Sequence, residues 1–142
     1  MILKELFQER REVITLTREA RISAAAELMR RESIGSIVIV QDKQVVGLIT
    51  DRDIALGVAL GVATPDSFVT EIMSQDVKTV KETMPLYDVA RQFRSTRVKR
   101  LPVVNSQNQL VGIVSVDDVL ALLARELFDT CSTFEPKLGH MV

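Results

Sequence analysis

The sequence predicts an α/β (α+β) fold built from two tandem copies of one β-α-β-β-α unit. Three observations predict it: an internal duplication, an apolar helical stripe that recurs in each copy, and a pair of β-branched runs that follows each stripe. The segment from Val13 to Leu60 reappears in outline from Val77 to Leu123. Ile22, Ala25, Ala26 and Met29 stand at i, i+3, i+4 and i+7, and a displacement of 64 residues lands on Leu86, Val89, Ala90 and Phe93. Each set forms one face of a helix.

The elements follow in order. Short opening strands are expected at Val13–Leu16 and Val77–Val80, ahead of the two stripes. After the first stripe, Ser36–Val40 and Val45–Ile49 flank the polar turn Gln41-Asp42-Lys43-Gln44, a hairpin pattern. In the second copy Arg100–Val104 and Leu110–Val114 flank Asn105–Gln109, one residue longer, so the displacement becomes 65 and Gly47 pairs with Gly112. Closing helices are expected over Asp51–Leu60 and Val116–Phe128. Pro102 lies inside a strand-like run, and because proline donates nothing to a ladder, its strand is expected at a sheet edge or with its N–H side open, facing a ligand.

The organisation is therefore a lead-in helix over residues 1–12, repeat 1 over 13–60, a linker over 61–76, repeat 2 over 77–128 and a tail over 129–142. Gly61–Ser67 supplies breaker residues, and Val69-Thr70-Glu71-Ile72-Met73 suits one helical turn into the second copy. The tail has no sustained period and is expected to fray or to be used in a contact.

With 142 residues, 46% of them hydrophobic and 26% charged, the chain has the composition of one globular body. Eighteen basic residues against nineteen acidic ones leave a net charge of -1, so no global field draws it to nucleic acid or to an anionic membrane. The N-terminus meets charge at Lys4 and Glu5, too soon for a signal peptide, and no apolar run approaches membrane-spanning length; a cytoplasmic location is expected. The single cysteine, Cys131, excludes an internal disulfide and is expected as a partly buried small hydrophobe.

Where the third strand meets the last helix, both copies read Gly-x-x-Thr/Ser-x-x-Asp: Gly47 to Asp53 and Gly112 to Asp118. A hydroxyl followed three positions later by an acid is a helix-capping pattern. The same geometry offers phosphate a helix start with free N–H groups and a hydroxyl, and offers ribose hydroxyls a carboxylate one turn in. Glycine ahead of it lets backbone come close.

On these motifs, with Arg100-Leu101-Pro102-Val103-Val104 and Val69-Thr70-Glu71-Ile72-Met73, the chain resembles a tandem pair of CBS domains, the family named after cystathionine beta-synthase, over about Glu12 to Glu126. The resemblance implies repeats packed through their sheets as a pseudo-two-fold pair, with clefts that hold adenosyl ligands such as AMP, ADP, ATP or S-adenosylmethionine as regulatory ligands, and no required cofactor. It implies a regulatory module rather than an enzyme, and a homodimer through the last helix of each repeat, with an effector protein as a further partner. Carried onto this chain, Asp53 and Asp118 bind ribose and Thr50 and Ser115 face phosphate. Lys99 and Arg100 complete the phosphate site of the opposite repeat. Arg52 adds a cation beside the Thr50/Asp53 cleft where the other copy has Asp117. The phosphorylated ligand is therefore expected in the Thr50/Asp53 cleft, and a weaker, less anionic ligand or none in the Ser115/Asp118 cleft.

Other readings carry less. The lone histidine, His140, lies in the tail and Cys131 has no basic partner nearby, so catalysis lacks a nucleophile–base pair. Asp51, Asp53, Asp117 and Asp118 suit helix starts better than a metal site. The basic stretch Arg94–Arg100 has no stacking aromatics and reads first as a solvated helix end, with a nucleic-acid surface as the alternative. A ligand-free interaction module stays open as well. The apolar residues Ile54, Val58, Val119, Leu122 and Leu123 of the last helices serve either the core or self-association.

Overall fold

The computed structural model describes residues 2–4 and 13–138, with side chains to residue 132. Its elements run β1 (Thr15–Leu16), α1 (Ile22–Glu32), β2 (Ser36–Gln41), β3 (Gln44–Thr50), α2 (Asp51–Ala59), a 3-10 turn (Val69–Glu71), β4 (Val80–Lys81), α3 (Leu86–Thr96), β5 (Arg100–Val104), β6 (Leu110–Ser115) and α4 (Val116–Leu138). They form two three-stranded sheets of order β1-β2-β3 and β4-β5-β6, in each of which the middle strand pairs parallel to the first and antiparallel to the third. Each repeat therefore has the β-α-β-β-α order that the duplication implies. Among the described residues no helix is long and apolar enough to cross a membrane.

The hairpins show how closely the copies match. In repeat 1 the tight turn is Asp42-Lys43, both with positive φ (52° and 65°), the pairing that lets a two-residue turn follow the twist of the strands. In repeat 2 the longer turn is held by Asn105, whose Oδ1 accepts from the backbone N–H of Gln107 (3.0 Å) and Gln109 (2.9 Å). A bulge interrupts both ladders at the same place, after Ile39 and after Val103.

Helices α1 and α3 each bury one stripe. Ile22, Ala25 and Met29 face one core, and Leu86, Val89 and Phe93 the other. Ala26, expected on the first stripe, is exposed, and half-buried Leu28 packs on that core in its place. Both helices end in a left-handed residue that is not glycine, Ser33 (φ 54°) and Arg97 (φ 58°). After Ser33 the chain closes with Ile34 N–H donating to Met29 C=O at 3.0 Å, a Schellman-type stop.

Pro102 meets its constraint in an unexpected position. β5 is the central strand of its sheet, so Pro102 is not on an edge strand, yet β4 pairs only with Val103 and Val104. In repeat 1 the parallel ladder begins one position earlier, with Thr15 opposite Val38. The residue that corresponds to Val38 is Pro102, which has no N–H, and the ladder starts just beyond it. The side of β5 ahead of that point is left open.

The segments that lead into the repeats cross over. Leu3, fully buried, belongs to the core of repeat 2 with Val80, Leu86, Val89, Phe93, Leu101, Val103, Val114 and Val119. Its N–H donates to Met84 C=O at 3.1 Å, and that of Lys4 to Glu82 C=O at 2.7 Å. Val69, also fully buried, belongs to the core of repeat 1 with Ala25, Met29, Ile37, Ile39 and Ile49, and its N–H donates to Ala20 C=O at 2.9 Å. Isolated bridges repeat the reciprocity, Ile2 to Pro85 and Arg21 to Phe68. The segment read as a linker is thus a structural part of repeat 1: the carbonyls of Pro65 and Ser67 accept from the first N–H groups of α1, and Arg21 lies 4.0 Å over the Phe68 ring. Residues 5–12, the rest of the expected lead-in helix, lie outside the described residues.

Two further expectations are corrected. α4 does not stop at Phe128 but continues to Leu138: no glycine or proline interrupts the chain from Val116 to Glu135, the Thr130 hydroxyl is satisfied by Glu126 C=O at 2.8 Å, and Pro136 falls only in the last turn. Cys131, on that extension, is exposed rather than partly buried.

The Leu3→Ala variant is expected to lose about 2–5 kcal/mol of unfolding free energy in urea titration, the cost of emptying a fully buried leucine site; a loss below 1 kcal/mol would mean that the N-terminal segment does not seal the second core. Ser33→Gly, which relieves a left-handed serine at an exposed position, is expected to stabilise the chain by roughly 0.5–1 kcal/mol in the same assay.

Candidate functional site

Both helix starts are capping boxes. Thr50 Oγ1 accepts from Asp53 N–H at 3.1 Å and Asp53 Oδ2 accepts from Thr50 N–H at 2.9 Å. Ser115 Oγ accepts from Asp118 N–H at 3.1 Å and Asp118 Oδ2 accepts from Ser115 N–H at 2.9 Å. The next N–H is satisfied in a matching way, from Asp51 to Gly35 C=O (2.9 Å) and from Val116 to Lys99 C=O (3.0 Å). Two orphan donors at each helix start are thereby paired, and the hydroxyl and carboxylate are held in a fixed geometry.

Register places the basic residues beside a helix start. Antiparallel pairing sets Arg100 directly opposite Ser115, as it sets Ser36 opposite Thr50. Lys99 and Arg100 therefore adjoin the Ser115/Asp118 helix start of their own repeat. The physical reason is local: β5 and β6 form one hairpin, so whatever precedes β5 lies next to whatever follows β6. Arg52, in the first turn of α2, is exposed, and its N–H donates to Asp51 Oδ1 at 2.8 Å.

A cleft of about 680 Å³ opens where the two repeats meet, on the open side of β5. Leu48 and Leu101, with Val77 and Val98, give it apolar surface; Thr79, Gln92, Ser95 and Thr96 give it hydroxyl and amide groups; Arg100 gives it a cation. Of the candidate site residues only Arg100 lines it; Thr50, Arg52, Asp53, Lys99, Ser115 and Asp118 do not. Asp76 and Lys78, also in its wall, stand 4.0 Å apart and offset one another. This volume lies within the usual range for small-molecule sites, and a mixed wall of apolar side chains with a few convergent polar groups is what such sites need.

The cleft is bound mechanically to both repeats. Leu48 and Ser74, which both line it, exchange backbone hydrogen bonds of 3.0 and 2.9 Å, and two residues beyond Leu48 comes the Thr50 cap of α2. The bare face of Gly47 is taken by the Met73 side chain, and a Cβ at Gly57 would stand 2.8 Å from Ile72 Cγ2. Those two glycines serve the close packing of the Val69–Met73 segment onto repeat 1. Sequence reading missed that role, although the recurrence of an apolar turn before each repeat, Leu3 and Val69, was there to find it. Among the described residues no three His, Cys, Asp or Glu side chains gather into a cluster able to hold a metal.

The exposed apolar residues of the last helices are not quite those expected. Val119 is in the second core, Leu122 packs against it and Ile54 against the first. Val58 and Leu123 remain exposed, and Leu56 on α2, Leu60 at its C-terminal cap, and Leu120, Leu127 and Phe128 on α4 join them.

Comparison with known proteins gives this geometry its family. The CBS-domain family model matches twice, over residues 3–59 and 69–125, so that both matches open on the crossing residues Leu3 and Val69. The uncharacterized protein MK0525 of Methanopyrus kandleri is 37% identical over 113 residues, which span 78% of this chain but only 58% of that protein. Among solved structures, the CBS domain pair of protein MJ0100, in complex with 5-methylthioadenosine and S-adenosyl-L-methionine, superposes with a TM-score of 0.76 at 28% identity, covering 89% of this chain and 98% of that one. The CBS domain protein PAE2072 from Pyrobaculum aerophilum, complexed with AMP, gives 0.75 at 26% identity, covering 88% and 99%. Two family matches over most of the chain, a crossed pair of three-stranded sheets and a capped helix start in each repeat establish that the chain belongs to the CBS-domain family.

Proposed function

We propose that this chain is a regulatory module that senses an adenosyl nucleotide of the AMP, ADP or ATP class in the cleft between its repeats. The observation that carries the reading is the convergence, at one cleft, of apolar walls, the open edge of β5 and Arg100, which leads directly to the capped Ser115/Asp118 helix start. Two structures similar over nearly the whole chain hold adenosyl compounds, which supports the ligand class.

In this reading the adenine packs between Val77, Val98 and Leu101, and the ribose hydroxyls donate to Asp118. The capping bond engages Asp118 Oδ2, and a carboxylate accepts several hydrogen bonds, so capping and ribose binding coexist. The Ser115 hydroxyl, the positive start of α4, Lys99 and Arg100 face the phosphate. The Thr50/Asp53 start with Arg52 is the counterpart site of repeat 1. Because Leu48 and Ser74 share the cleft wall, a bound ligand favours one placement of the two repeats, and the effector protein reads that placement rather than any chemical product. The exposed apolar faces of α2 and α4 join a second copy into a homodimer.

Calorimetric titration with AMP and ATP is expected to show binding, and Asp118→Ala to weaken it by at least tenfold, about one charge-assisted hydrogen bond; undiminished affinity in a variant that still melts cooperatively would overturn the reading. Sedimentation is expected to give a dimer that Leu120→Lys with Phe128→Glu converts to monomer, with the ligand affinity retained; a monomeric parent chain would remove the dimer from the proposal.

A further inference from the structure

The first helix of each repeat carries a different outward face. In α1 the exposed row is Ser23, Glu27 and Arg30, at i, i+4 and i+7, and it closes on itself: the Arg30 guanidinium makes two hydrogen bonds to the Glu27 carboxylate. The matching residues of α3 are Tyr87, Arg91 and Arg94, all exposed, Tyr87 by 71%. From Val89 to Leu101 the chain has five cations and no acid. Asp88, the one acid of α3, is half-buried in its first turn, and among the described residues no ion pair joins it to Arg91 or Arg94. A row that neutralises itself in repeat 1 is therefore left unpaired in repeat 2.

The row has the make-up of a protein-binding surface. Its three side chains span about 10 Å along the helix axis, with neighbours about 5–6 Å apart. The Arg91 guanidinium lies 6.0 Å from the centroid of the Tyr87 ring, so ring and cation share one surface. Tyrosine and arginine are the side chains that most often carry binding energy at interfaces, and the arginine fork matches carboxylate geometry. Single-stranded nucleic acid fits less well, because it is held in a groove by successive aromatics and drawn in by positive charge. This row offers one aromatic on the outward side of a helix, in a chain of net charge -1. The same helix borders the cleft through Gln92, Ser95 and Thr96, so a partner on its outward face sits about 10 Å, one helix diameter, from a bound ligand.

Resting on the reading above that an effector protein reads this module, we infer that Tyr87, Arg91 and Arg94 form a docking surface for an acidic helical segment of that effector. Carboxylates one turn apart on the partner meet Arg91 and Arg94, and an apolar side chain one turn further on packs against the Tyr87 ring. The opposed charges set orientation and selectivity, and the ring supplies buried area. The matching row of repeat 1 offers no such surface, since Glu27 would face the same carboxylates and already holds Arg30.

The test is fluorescence anisotropy on the full chain with three labelled probes at fixed low salt: a helical peptide of alanine, leucine and glutamate with its glutamates four residues apart, the same peptide with glutamine for glutamate, and oligo(dT). The glutamate peptide is expected to bind roughly tenfold more tightly than either of the others. Arg91→Glu with Arg94→Glu is expected to weaken it by roughly tenfold or more, and Tyr87→Ala by about fivefold, while both variants keep cooperative melting and the parent's AMP affinity. Arg18→Glu with Arg31→Glu makes the same change of net charge on repeat 1 and is expected to leave peptide affinity within about twofold. Equal binding of the glutamate and glutamine peptides, tighter binding of oligo(dT), or equal loss in the two double variants would overturn the inference while the adenosyl reading stands. Docking of the glutamate peptide by a chain that binds no adenosine compound would instead overturn the adenosyl reading and leave this surface in place.

Discussion

The architecture depends on an exchange of leading segments. Leu3, from ahead of repeat 1, fills a site in the core of repeat 2, and Val69, from ahead of repeat 2, fills one in the core of repeat 1. A three-stranded sheet with two helices on one face is a thin core, and each copy completes its own with an apolar turn lent by the other. The exchange is a two-fold operation within one chain. At the far end, the corresponding residues Gln44 and Gln109 of the two hairpins bridge to each other antiparallel, and Leu110 N–H donates to Lys43 C=O at 3.0 Å. The pair is one cooperative body, because neither core closes without the segment that leads into the other repeat.

That constraint creates the cleft. Val69 anchors the crossing segment in repeat 1, Ser74 pairs with Leu48 and the chain reaches β4 by way of Asp76–Thr79, all cleft-lining positions except the unlined Gln75 and the anchoring Val69. Pro102 leaves the facing side of β5 without a ladder partner, so the floor of the cleft is strand edge rather than closed sheet. A ligand placed there touches both repeats and the segment that ties them.

The capping boxes are the structural device that the two repeats share most closely. Thr50 with Asp53 and Ser115 with Asp118 make the same hydrogen bonds, at 2.9 and 3.1 Å in each, so the backbone geometry of the two helix starts is equivalent. What differs is the charge near them: among the described residues the ion pairs of α1 have no counterpart on α3, and Arg100 stands where repeat 1 has Ser36. Duplication preserved the frame and left the surface around it free to diverge, because an exposed side chain costs little to exchange whereas a buried one must fit.

The sequence by itself determined the local elements, since these follow from periodicity and from residues within a few positions of each other. The helical stripes, the hairpins with their turn residues, the matched capping motifs and the duplication were all legible, and Leu28 in place of Ala26 is the kind of error that helical periodicity allows. Tertiary structure decided which distant segments meet. Register, fixed by the turn, set Arg100 opposite Ser115; crossing of the leading segments placed Leu3 in the core of repeat 2 and Val69 in that of repeat 1; and close packing set Met73 against Gly47. Each of these depends on contacts between residues far apart in the chain, where a period carries no information and only the simultaneous burial of both apolar faces selects the arrangement.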